Sequence, residues 1–134
     1  MTQAISTLMH HPVHTVKMGD SVAHVHALLV DRHLSWVPVL EPDSGEVAGV
    51  ISAADLIAFH AQGRDASATQ AWQMCSYKPI VVDADKPAAE VAALMVARNV
   101  HHVVVLDGSR LAGVVSSFDF LRVAAAASPR APQA

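Results

Sequence analysis

Two periods of apolar residues alternate along this chain. Val22, Val25, Leu28 and Leu29 fall at the spacing that lines one face of an α-helix, and Val91, Leu94 and Met95 do so again later. Short apolar runs at residues 36–40, 47–52, 101–106 and 111–116 read instead as strands. Asp20 or Ser21 can cap the first helix, which is expected to end near His33. Asp85 can cap the later one, with Pro87 in its first turn. Pro38 points to an edge strand or a bulge. Asp107-Gly108 is a strong hairpin turn, and two further helices follow the strands, over residues 53–61 and up to about Ala127. Residues 4–12 and 71–75 read as short helical turns, and each leads into an extended piece, at 13–17 and at 79–82.

These elements form one pattern written twice. When the halves are laid over each other, Val25 falls on Val91, Leu28 on Leu94, Arg32 on Arg98 and Val39-Leu40 on Val105-Leu106. After a shorter turn in the second copy, residues 47–59 fall on 111–123. The expected fold class is α+β: two pseudo-symmetric β-α-β-β-α repeats packed as one module, because each half can bury the other's apolar face. The expected boundaries are a first repeat at 5–62, a polar linker at 63–70, a second repeat at 71–127 and a disordered tail at 128–134.

Each copy closes on the same residues: Gly49-Val50-Ile51-Ser52-Ala53-Ala54-Asp55 and Gly113-Val114-Val115-Ser116-Ser117-Phe118-Asp119. A strand that enters a helix through Ser-x-x-Asp leaves free N–H groups beside a hydroxyl and a carboxylate, a place that suits an anion or a sugar. The same residues also make a helix cap close to a capping box, worth about 1 kcal/mol without any ligand.

The duplicated motif, with matching strands upstream, resembles the CBS domain pair (named for cystathionine β-synthase, and also called a Bateman module). The resemblance covers most of the chain and implies a stand-alone member. It implies binding of an adenine nucleotide (AMP, ADP, ATP or an NAD-like relative) in clefts between the repeats, with occupancy used as a signal. Carried over residue by residue, it implies that Asp55 and Asp119 hold ribose hydroxyls and that Ser52 and Ser116 lie beside ribose or phosphate. Ile51 and Val115 would pack on the base, and the pieces Val13, His14, Thr15 and Pro79, Ile80, Val81 would line it. Basic residues often meet phosphate just before the second strand of a repeat. The second copy has His101 and His102 there, and the first has Ser35 and Trp36. Histidine is charged only part of the time near neutral pH, so phosphate affinity is expected to vary with pH. The second site, with its histidines, is the stronger expectation.

Composition narrows the alternatives. Lys and Arg number 9 and never cluster, which argues against nucleic acid as a partner. There is no apolar run long enough for a transmembrane helix and no signal-peptide pattern, so a soluble cytoplasmic protein is expected. A hydrophobic fraction of 52% with only 4% aromatics predicts a core of small side chains. Among the 9 histidines, His24 and His26 stand two apart on a helix and point in different directions, and no metal site is expected. The lone Cys75 has no identifiable base near it in sequence, and no nucleophile–base pair appears elsewhere, so the chain reads as no enzyme and as needing no cofactor.

Two readings therefore stand. One is a nucleotide-binding regulatory module that signals to an unknown effector protein. The other is a structural or interaction homodimer with vestigial clefts that bind no nucleotide. A homodimer is expected under either, with Leu56, Phe59, Phe120 and Leu121 offering apolar faces to a symmetric interface.

Overall fold

The computed structural model describes residues 3–11 and 13–127, so the tail expected at 128–134 lies outside the described residues. The described residues form two compact units, His14–Pro79 in one, and those up to Val13 with those from Ile80 onward in the other. The first contains β1 (Val16–Lys17), α1 (Val22–Arg32), β2 (Trp36–Leu40), β3 (Val47–Ser52) and α2 (Ala53–Ala61). The second contains β4 (Val81–Asp83), α3 (Ala88–Arg98), β5 (His102–Asp107), β6 (Arg110–Ser116) and α4 (Ser117–Ala127). In each unit a parallel strand, a central strand and an antiparallel partner make a three-stranded sheet, ordered β1-β2-β3 and β4-β5-β6.

Local chemistry sets the ends of these elements. Ser21 caps α1 by accepting from the His24 N–H at 3.1 Å, while Asp20 accepts from the Lys17 N–H at 2.8 Å. Asp85 does not cap α3, where Pro87 occupies the N-cap and makes no side-chain cap bond. Helices α1 and α3 each stop at a left-handed residue, His33 with φ 55° and Asn99 with φ 52°.

Pro38 lies on the central strand of its sheet, contrary to the expected edge. It is tolerated because β1 pairs with β2 only at Val39 and Leu40, so no ladder bond is asked of residue 38. At the equivalent place in the other unit, the Val104 N–H donates to the Ile80 carbonyl at 2.9 Å, and β4 is one residue longer. The bulge that Pro38 also suggested is present, between Val39 and Leu40.

Each core is apolar and contains the short turn that opens the other sequence repeat. Val22, Val25, Val37, Val39, Ile51 and Phe59 pack with Ala71 and Cys75 in one unit. Val91, Met95, Val103, Val105 and Val115 pack with Ile5 and Leu8 in the other. The turn Ile5–Thr7 thus docks on the second repeat, and Ala71–Gln73 on the first. Isolated backbone bridges fix them there, two for each turn. Val50 exchanges bonds with Ser76 at 2.9 Å in both directions, and Val114 with His10 at 2.8 and 3.2 Å. Gly49 and Gly113 sit beside these bridges because the docked backbone leaves no space for a Cβ.

Candidate functional site

At the end of β3, the chain enters α2 through a full capping box. The Ser52 Oγ accepts from the Asp55 N–H at 3.1 Å, and the Asp55 Oδ2 accepts from the Ser52 N–H at 2.8 Å. The Ala53 N–H is held by the Ser35 carbonyl at 2.8 Å. Asp55 is half-buried, and among the described residues it makes no ion pair. A carboxylate in this state keeps acceptor capacity for a ligand's O–H groups.

The matching junction from β6 into α4 is built differently. Asp119 is 3% exposed, and its Oδ2 accepts from the Ser116 N–H at 2.7 Å and the Ser116 Oγ at 3.2 Å. Its Oδ1 is engaged by His10 Nε2 and by Arg122 Nη2. Arg122 Nη2 and His10 Nε2 themselves lie 2.9 Å apart. The bridge to Val114 delivers His10 to this place, and Arg122 stands one helical turn after the aspartate. Neither residue belongs to the repeated Gly-x-x-Ser-x-x-Asp motif. An arginine at i+3 from a motif acid is a readable signal, whereas His10 is 109 positions away and gives none.

Other expected site residues are placed apart. Ile51 and Val115 are 0% exposed and belong to the two cores, so neither side chain has surface to offer a base. Strand alternation explains this: with the preceding glycines on one face, the serines that follow fall on the other. His14 is exposed, while Val13, Thr15 and Pro79 are half-buried. Ile80 packs partly against its unit's core, and Val81 is exposed. The pieces 13–15 and 79–81 are where the chain leaves one compact unit for the other.

His101 and His102 do not act together. His101 is exposed, with Nδ1 3.3 Å from the Ser117 Oγ, and lines a groove between α3 and α4 with Val96 and Phe120. His102 stands opposite Ser116 across the sheet and is half-buried. Burial first, and then the charge of His101, lower its pKa to about 4, against the opposing pull of Asp119. His102 is therefore neutral near pH 7, and the expectation that it supplies part-time charge for phosphate is corrected. The sign for stability follows. Between pH 6.5 and about 4 the unfolded chain takes up a proton that the folded chain resists, so stability present at neutral pH is lost as pH falls through this window. After discounting for solvent screening, the loss is about 1–2 kcal/mol. Urea midpoints at pH 7.5 and 4.5 should fall less in His102→Gln than in the unsubstituted chain; an equal fall would refute the assignment.

The remaining candidate chemistry is quiet. Cys75 is buried, and burial pushes its thiol up, away from the thiolate a nucleophile needs. His26 Nδ1 faces His60 Nε2 at 3.0 Å, and His24 leans toward Asp20 at 3.9 Å. Among the described residues, no group of three or more His, Cys, Asp or Glu could hold a metal ion, and no helix is long and apolar enough to cross a membrane.

Comparison with known proteins agrees with this duplicated architecture. The family model described as CBS domain matches twice, at residues 5–61 and 71–126. The chain belongs to the CBS domain family. The CBS domain pair of protein MJ0100, solved in complex with 5′-methylthioadenosine and S-adenosyl-L-methionine, superposes with a TM-score of 0.85 at 21% identity, covering 96% of this chain and 100% of that one. CBSX2 in complex with AMP gives a TM-score of 0.81 at 21% identity, covering 93% and 98%. An uncharacterized conserved protein from Pyrococcus horikoshii gives 0.82 at 21%, covering 100% and 98%. No curated protein matches the chain. At these identities the likeness to solved CBS structures is one of fold. The family matches begin with each short turn of the sequence repeat, whereas the compact units exchange those turns.

Proposed function

We propose that this CBS pair is a regulatory module that binds an adenosine-containing nucleotide and performs no chemistry on it. The observation that carries the reading is Asp55: a half-buried carboxylate at a strand–helix junction, held on one oxygen by the Ser52 N–H and without an ion pair among the described residues. A ribose diol presents two O–H donors, and an ionised carboxylate is an acceptor-only partner for them. Ser52 stands beside it for the ribose or the first phosphate. The ligands named for MJ0100 and CBSX2 share an adenosine portion, which supports this class of ligand here. Binding would shift an equilibrium between arrangements of the chain, and the difference in affinity between them sets how far it moves.

Pairing with a second copy belongs to the proposal, but through residues other than some of those expected. Leu56 and Phe59 are 5% and 2% exposed and face the core, because they lie on the inward side of α2. Val30 and Ile57 are the exposed apolar residues along the α1/α2 groove, while Val96, Phe118 and Leu121 are exposed on α3 and α4.

Titration calorimetry with AMP and with ATP tests the nucleotide reading. Asp55→Ala is expected to weaken the binding seen in the unsubstituted chain at least tenfold, about 1.4 kcal/mol. Absence of binding heat for both nucleotides in the unsubstituted protein would contradict the reading and favour an interaction protein with vestigial clefts.

A further inference from the structure

We propose that the two motif sites are inequivalent: the Asp55 site takes the nucleotide, and the Asp119 site is latched shut by His10 and Arg122, so that each chain binds one nucleotide. This rests on the nucleotide reading above and adds the stoichiometry and its cause.

An ionised carboxylate offers about four lone-pair positions. At Asp119 four protein groups already converge on them: the Ser116 N–H and Oγ on Oδ2, and His10 Nε2 and Arg122 Nη2 on Oδ1. With 3% of the residue exposed, a ribose diol finds neither a free acceptor nor surface to approach. A guanidinium held by a carboxylate makes a charge-assisted bond, and neutral sugar hydroxyls compete poorly for the same oxygen.

The first repeat is an internal control. The residue bridged to Val50 is Ser76, where the residue bridged to Val114 is His10. One turn after Asp55 stands Ala58, where Arg122 follows Asp119. Both latch groups are thus absent from the equivalent positions, and Asp55 accepts only from the Ser52 N–H among the described hydrogen bonds. The latch also lies on the outside. The His10 and Arg122 side chains are 59% and 53% exposed, so they can be removed without opening the core.

The test is titration calorimetry of the full chain with AMP. The unsubstituted protein should bind one AMP per chain, and Asp55→Ala should remove that event. The double variant His10→Ala/Arg122→Ala should gain a second event, bringing the count to two. Arg122→Gln with His10 intact provides a milder opening if the double variant does not keep its circular dichroism spectrum. Two AMP per chain in the unsubstituted protein would overturn the latch while leaving the nucleotide reading intact. A folded opened variant that still binds one would also overturn it. No binding in any form would overturn the reading and the proposal together.

Discussion

Gly49→Ala is expected to destabilise the protein by roughly 3 kcal/mol, at the upper end of the usual cost of forcing volume into a packed site. The added Cβ would stand 2.3 Å from the Ser76 carbonyl oxygen and 3.1 Å from Cys75 Sγ. The oxygen belongs to backbone that is bonded to Val50 in both directions, so it cannot swing away as a side-chain tip could. The substitution must break the bridge or push the turn at 71–73 out of the core, where Ala71 is 0% exposed. Gly19→Ala is the control, since a Cβ there meets nothing within 4 Å. Guanidinium unfolding should separate the two variants clearly. Equal midpoints would mean that the turn does not dock on the first repeat as described. Gly113→Ala should fall in the same direction, with His10 O at 2.8 Å, although Met9 Sδ at 2.6 Å is a flexible neighbour.

Asp119→Ala is expected to cost about 2–3 kcal/mol, against about 1 kcal/mol for Asp55→Ala. Both substitutions remove a carboxylate that accepts from the N–H of the motif serine. Only at Asp119 does the loss also strip His10 and Arg122 of their common partner, and with it a tie between the N-terminal segment and α4. His10 and Arg122 are more than half exposed and can be rehydrated, which keeps the cost below that of a fully buried broken ion pair. Denaturant unfolding of the two alanine variants measures the difference. Equal losses would show that the latch contributes nothing to the fold.

Much of this architecture is legible in the residues. The stripe Val22, Val25, Leu29 and its counterpart Val91, Met95 face the cores as their period requires. The hairpin expected at Asp107-Gly108 forms one residue later: Asp107 pairs with Arg110, and Gly108, with φ 65°, turns β5 into β6 together with Ser109. The duplication is visible because Gly, Ser and Asp recur at fixed spacing, and each has a local reason. Gly49 and Gly113 make room for docked backbone, and Ser52 with Asp55 closes a capping box.

The exchange of the short turns was not legible. It depends on Ile5 and Ala71 fitting distant cores and on four isolated bridges, none of which leaves a periodic trace. The role of His10 at Asp119 was hidden for the same reason. The mispairing of His101 with His102 had a readable remedy: neighbours on a strand face opposite ways, so one turns to the α3/α4 groove and the other stays beside Ser116. The same alternation sends Ile51 and Val115 inward and leaves the carboxylates of Asp55 and Asp119 to distinguish the two sites. The histidines at 101–102 favour the second site in the sequence; the proposed latch at Asp119 favours the first.

The most direct test of the account is the amide spectrum of the isotope-labelled protein during addition of AMP. Saturable shifts are expected to concentrate at residues 49–55, with Ser52 and Asp55 among the largest and residues 113–119 little changed. Shifts confined to residues 113–119, or none at all at saturating AMP, would contradict it.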